Sequence, residues 1–303
     1  MTMTTSVNKQ PTATVGEPYT TGSVTSHDGT TISYRQLGHG PGVVMLHGSM
    51  ESAQSHMQLA TALADAFTVY LPDRRGHGAS GTYGARYSIQ TEVEDLDALL
   101  IKAGAHIVFG VSSGGLICLQ ASLTLPAIRK VALYEPALIV HGSMSTAFLA
   151  RYDREMAEGN VAAALVTGML ASQMGPPIFN AMPRWLLESF TRSAMKSEEK
   201  KSMSGDVTMR LLAPTLHYEF QLVKEMAETL ERFRAVQTEV LLLGGSKSPA
   251  YLKIALDALE RVLPHVQRIE FPGLNHGGSS DASSTNRGGK PEQVAQALRQ
   301  FFA

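Results

Sequence analysis

The stretch HIVFGVSSGGLICLQASLTL runs from His106 to Leu125. It starts as a short apolar strand, tightens into a glycine-flanked turn and continues with helical spacing up to Pro126, which cannot extend the helix. Gly110-Val111-Ser112-Ser113-Gly114 matches the pattern G-x-S-x-G in the strand–turn–helix setting that the pattern requires. So sharp a turn leaves no room for side chains flanking the serine, hence the glycines. It lifts the Ser112 hydroxyl above a sheet at a helix N-terminus, where backbone N–H groups and the helix dipole favour a developing oxyanion. A glycine-rich turn without catalysis is the plainer reading. The strand before it and the helix after it favour the catalytic one.

Working outward, apolar runs alternate with helical stretches. TISYRQLG (Thr31 to Gly38) alternates like a half-exposed strand, and GVVMLHG (Gly42 to Gly48) is continuously apolar, like a buried parallel one. SAQSHMQLATALADA predicts a helix, FTVYLPD a strand ending at Asp73, and SIQTEVEDLDALLIKAG an amphipathic helix closed by Gly104. RKVALYEPA is the next strand. From about Leu138 to Ala235 no strand pattern appears. The alternation then resumes with TEVLLLGG, YLKIALDALERVL, VQRIEFPG and PEQVAQALRQFF. This order predicts an α/β fold: a mostly parallel sheet of the eight-stranded type, helices on both faces and a helical cap inserted after strand six. The expected organisation is a flexible N-terminal tail over 1–20, a core over 21–137 and 236–303, and a cap over 138–235.

Composition narrows the function. The 303 residues carry a formal net charge of −1, which points away from a nucleic-acid partner. The single cysteine, Cys118, leaves no internal disulfide framework and no cysteine-based zinc site. No apolar run is long enough to span a membrane, and the threonine-rich start lacks the apolar segment of a secretory signal, so a cytoplasmic location is expected. No dinucleotide fingerprint, P-loop or metal-ligand cluster is visible, so neither cofactor nor metal is expected. The oligomeric state is not legible.

Taken together, LHGSM, DRRGHGAS, GVSSGG and GLNHGG resemble the α/β-hydrolase fold superfamily, in its order and from roughly Thr21 to the C-terminus. The resemblance implies Ser112 as nucleophile and His276, after RIEFPGLNH, as general base. It implies an oxyanion hole built from the N–H of Ser113 and a second N–H after His47-Gly48, with Ser49 preferred over Met50. His47, His77, Asp73 and Arg74 read as bracing residues.

The acid is the irregular feature. In this superfamily the strand tip in LLLGGSKSPAYLK usually carries an aspartate, but here it reads Gly245, Ser246, Lys247, Ser248. Glu135 ends the preceding strand, beside the nucleophile strand on the histidine's side. Some members place their acid there, among them haloalkane dehalogenases and the lactonases that open zearalenone. Glu135 is therefore the expected acid, set against a role as a mere salt-bridge or cap residue. Asp281 is the poorer alternative.

A serine nucleophile points to acyl transfer through an acyl-enzyme. Nine of the fourteen methionines fall between Met144 and Met226, which suits an adaptable apolar pocket. Met50, Met174, Met182 and Trp185 are its candidate lining. The expected activity is that of a serine hydrolase, an esterase or lactonase, on a small apolar ester or lactone. The alternatives are a C–C bond hydrolase, a cofactor-free oxygenase or perhydrolase on the same scaffold, and a ligand-binding, receptor-like protein with little turnover.

Overall fold

Strands that are apolar on both faces must lie between two layers of helices, and the chain gathers them in the middle of one sheet. The computed structural model describes residues 19–203 and 205–303. Its strands are β1 (Thr20–Thr25), β2 (Thr31–Gly38), β3 (Gly42–Leu46), β4 (Thr68–Pro72), β5 (Ile107–Val111), β6 (Lys130–Tyr134), β7 (Glu239–Gly245) and β8 (Val266–Phe271). They form one sheet in the order β1-β2-β4-β3-β5-β6-β7-β8. β2 runs antiparallel to both β1 and β4, and every other pairing is parallel. Beyond their first residue β3, β5, β6 and β7 are buried throughout, whereas the edge strand β1 alternates.

The helices are α1 (Met57–Leu63), α2 (Ile89–Ala103), α3 (Ser112–Thr124), α4 (Leu149–Ala157), α5 (Val161–Ala171), α6 (Arg184–Lys201), α7 (Met209–Leu212), α8 (Thr215–Glu225), α9 (Ala250–Val262) and α10 (Pro291–Phe302). Residues of α2, α3, α8 and α9 share one apolar layer with the sheet; α1 and α10 build the other. The α/β reading therefore holds: a mostly parallel eight-stranded sheet, covered on both faces. Between β6 and β7 the described residues form helices and no strand. No helix among the described residues is long and apolar enough to cross a membrane.

Two expectations need correction. Most of the expected 1–20 tail lies outside the described residues, but Tyr19 packs on the second apolar layer and Thr20 opens β1. The core thus begins before residue 21. The helix expected over 52–66 is divided: Ser52 caps a single 3-10 turn, Ala53–His56, before α1 begins. The break falls at His56, whose ring is held 3.0 Å from the Glu51 carboxylate.

The turn between β5 and α3 positions the candidate nucleophile. Val111 is extended, Ser112 has φ +54, and helix follows at once. Ser112 C=O accepts the Ala137 N–H at 3.2 Å, so the loop after β6 clamps the turn. A Cβ on Gly114 would lie 2.5 Å from His47 O and 2.7 Å from Leu46 O. Both are backbone atoms at the end of β3 and cannot step aside. Gly114→Ala should therefore lower the urea midpoint by the equivalent of about 1–3 kcal/mol. Gly104→Ala closes α2 in open space at φ +57 and should cost only the left-handed penalty, about 1 kcal/mol. Equal midpoints for the two variants would refute the packing account of the turn.

Candidate active site

Ser112 sits at the mouth of the turn, 8% exposed. A non-glycine residue at positive φ stores strain, and such strain collects at functional sites. Glu135 shows the same conformation, φ +48, one residue past β6. Its N–H still pairs with Leu243 C=O at 3.0 Å, so the backbone stays tied to β7 while the side chain turns inward.

Glu135 is wholly buried. Its Oε2 lies 2.7 Å from His276 Nδ1, and its Oε1 accepts the Gly245 N–H at 2.6 Å. A carboxylate can only accept, so Nδ1 carries the ring proton and Nε2 is left free to take one. The tip of β7 contributes space and a backbone donor in place of a side chain. A Cβ on Gly244 would come 3.0 Å from Glu135 Oε1 and 2.6 Å from Leu256 Cδ1. Ser246 Oγ is engaged elsewhere, accepting the Gly273 N–H at 2.8 Å. The histidine loop is fixed from below: Tyr134 O–H donates to Asn275 C=O at 2.8 Å, and Lys247 N–H to Leu274 C=O at 2.8 Å. Asp281 serves the start of α1 instead, accepting the Gln58 N–H at 2.8 Å.

Ser49, Met50, Glu51, Ser112 and His276 line one cavity of about 570 Å³. Its other walls are largely apolar. Met144, Leu165, Met169, Met174, Met209, Leu216, Phe220 and Val223 come from the chain between β6 and β7, and no lysine or arginine is among the described residues lining it. Tyr251 adds a phenol; burial first, then the Glu135 charge, push its pKa up. Of the expected lining, Met50 and Met174 are in place; Met182 and Trp185 are not. Helix α6 buries Leu187 and Met195 and leaves Trp185 69% exposed. Arg184 ties the start of α6 to Glu155 at 2.8 Å and Thr167 at 2.6 Å.

The loop after β3 carries Ser49 and Met50, the latter at φ +59. His47 holds the loop's base, with Nδ1 2.9 Å from Gly48 C=O and Nε2 accepting the Arg74 N–H at 3.1 Å. Burial, then the nearby His77 and Arg74, keep this ring well below the ordinary histidine pKa, as an accepting Nε2 requires. Asp73 braces the same region through the N–H groups of Ala53 (2.9 Å) and Ala79 (3.2 Å). Sequence reasoning missed Glu51. Its Oε2 accepts the Gly48 N–H at 2.8 Å and faces His56 Nε2 at 3.0 Å, while Ser280 O–H donates to Oε1 at 2.5 Å.

The model of the alpha/beta hydrolase family matches residues 43–297. An alpha/beta hydrolase structure from Sphaerobacter thermophilus DSM 20745 is 27% identical, with a TM-score of 0.73, covering 93% of this chain and 100% of that one. A pimeloyl-[acyl-carrier protein] methyl ester esterase of Xanthomonas oryzae pv. oryzae (strain MAFF 311018) is 23% identical over 268 residues, 88% of this chain and 97% of that protein. An uncharacterized hydrolase of Bacillus subtilis (strain 168) is 34% identical over 122 residues, 38% of this chain; the match spans less than half of that protein, 45%.

The Glu51–His56 pair gives a pH signature. Burial alone would raise the Glu51 carboxyl, but the charge of His56 and the hydrogen bonds from His56, Ser280 and Gly48 outweigh it and bring it from 4.5 down to about 2. Burial alone would lower His56, but the charge and hydrogen bond of Glu51 outweigh that and raise it above 6.5. The stability from Glu51 is therefore complete above pH 4.5 and lost as pH falls toward 2. That from His56 is complete below pH 6.5 and lost as pH rises through its raised value. The Tm difference between wild type and Glu51→Gln should be largest between those limits and shrink on both sides. A difference that stays flat across the pH range would overturn the pairing.

Proposed function

Since the chain belongs to the alpha/beta hydrolase family, we propose that it is a serine hydrolase that cleaves an apolar carboxylic ester or lactone through an acyl-enzyme on Ser112. One observation carries this reading: His276 Nδ1 lies 2.7 Å from the buried Glu135 carboxylate, and His276 shares a cavity with Ser112. A strand tip without a carboxylate at β7 would suit the ligand-binding alternative, but the Glu135 carboxylate at the end of β6 stands against the histidine and favours turnover.

In the proposed reaction His276 Nε2 takes the Ser112 proton as Oγ attacks the carbonyl carbon. Glu135 stabilises the imidazolium and holds its tautomer. The tetrahedral oxyanion is received by the N–H groups of Ser113, at the N-terminus of α3, and Ser49. The imidazolium then protonates the leaving alcohol, or the ring oxygen of a lactone. Water, activated by the same ring, releases the acid and restores Ser112.

The helical insertion serves as the cap over this site. Its methionine-rich wall suits a neutral, apolar acyl or lactone group, and about 570 Å³ is in the range of small-molecule sites. A carboxylate-bearing substrate would meet Glu51 and no balancing lysine or arginine among the described lining residues. An esterase among the full-length relatives supports ester chemistry.

Ser112→Ala should keep its thermal melt but lose at least about a thousandfold in p-nitrophenyl butyrate turnover, together with fluorophosphonate labelling. Retention of a tenth of the activity would move the nucleophile elsewhere. Glu135→Gln keeps the shape but loses the charge, and its amide N–H can face Nδ1 and select the wrong tautomer. Its kcat should fall by up to roughly 10⁴-fold. Near-normal turnover there would leave a serine–histidine dyad and sink Glu135.

A further inference from the structure

The nucleophile, base and acid leave one buried polar cluster unused. Glu219, on the cap helix α8, is 0% exposed, and Arg74, after β4, is 2% exposed. Arg74 Nη1 lies 3.1 and 3.2 Å from the two oxygens of Glu219. The same Nη1 donates to Ser113 Oγ at 3.0 Å. Ser49 O–H is within reach of two acceptors, Ser113 Oγ at 3.3 Å and Glu219 Oε2 at 3.4 Å. The far side of the guanidinium is held by Glu92, through Nη2 at 2.8 Å and Nε at 3.3 Å.

Both residues proposed to donate N–H groups to the oxyanion therefore meet one ion pair through their hydroxyls, Ser113 at 3.0 Å from Arg74 and Ser49 at a longer 3.4 Å from Glu219. Half of that pair belongs to the cap. We propose that Glu219 is a positioning residue for the oxyanion hole, setting the spacing of the Ser49 and Ser113 donors through Ser49 Oγ and Arg74. Glu219 reaches the Ser49 loop from α8, a helix of the insertion between β6 and β7 that shares the apolar layer on the sheet. This rests on the proposed reading of Ser112 as nucleophile.

A donor pair must match the oxyanion closely, and displacement of about 1 Å costs on the order of a hundredfold in rate. A glutamate that merely anchored the cap would affect stability and all ligands alike. A positioning residue affects the transition state selectively.

The test begins with fluorophosphonate labelling of wild-type Ser112. Failure to label overturns the nucleophile assignment itself, and with it the proposal. With labelling present, Glu219→Gln should lower kcat for p-nitrophenyl butyrate roughly tenfold to a hundredfold, with KM within about twofold. Affinity for butylboronic acid, whose tetrahedral adduct fills the hole, should fall by the same factor. Affinity for p-nitrophenyl butyl ether, which has no carbonyl, should hold. Ser49→Ala should reproduce this pattern, and the double variant should be no worse than the poorer single one. Parallel losses for boronate and ether, unchanged kcat, or losses that multiply in the double variant would each overturn the proposal. If Glu219→Gln does not fold by circular dichroism, Ser113→Ala decides, because it cuts the Arg74 link without touching the cap. A kcat-selective loss is expected there, and an unchanged kcat overturns the proposal.

Discussion

The contact between Glu135 and His276 orders much of what surrounds it. A fully buried carboxylate must be satisfied by hydrogen bonds, and this one has the imidazole on one oxygen and the Gly245 N–H on the other. Glu135 meets both demands from a positive φ, and β7 ends beside it in two glycines. The first makes room for the carboxylate; the second donates to it and has no space for a side chain, since a Cβ there would collide with the Leu274 C=O. The tip of β7 carries no carboxylate of its own and packs against the one at the end of β6.

The same economy governs the loop after β3. Its backbone is held from one side by Glu51 on the Gly48 N–H, and from beneath by His47 on Arg74. Polar side chains cluster under and beside the loop, while the cavity above it is lined mainly by apolar groups. Polar groups crowded behind backbone donors fix them without filling the space that a substrate would occupy. That separation lets a largely apolar cavity sit over a polar floor that carries Ser112 and His276.

The sequence made the frame legible because its signals are local. Glycines around Ser112, continuous apolar runs for doubly covered strands, and a histidine after the last strand all depend on neighbours within a few residues. PEQVAQALRQFF coincides with α10 (Pro291–Phe302) and TISYRQLG with β2 (Thr31–Gly38). The insertion between β6 and β7 was legible as helical but not in its rotations. Trp185 looked like pocket lining by composition, yet α6 turns Leu187 and Met195 inward and leaves Trp185 exposed. Glu219 was overlooked although a signal existed. In TLHYEFQLVKE it shares a helix face with Leu216, Phe220 and Val223, all buried, and a charge on an apolar stripe needs a partner. The partner could not be named, because Arg74 lies 145 residues away in sequence.

That distance is why the chemistry of the loop is a tertiary property. Residues 47–51, 74, 92, 113 and 219 come from five separate segments, and none of the four beyond the loop lies near it in sequence. Arg74 is the joint. Two buried carboxylates hold it, and it presents Nη1, not a carboxylate, to Ser113. A lone Arg74 would be a costly buried charge, and either glutamate without it would set an uncompensated anion near the place where the oxyanion is proposed to form. The three residues are therefore interdependent, and the insertion between β6 and β7, which supplies Glu219 through α8, contributes a buried charge as well as apolar walls of the cavity.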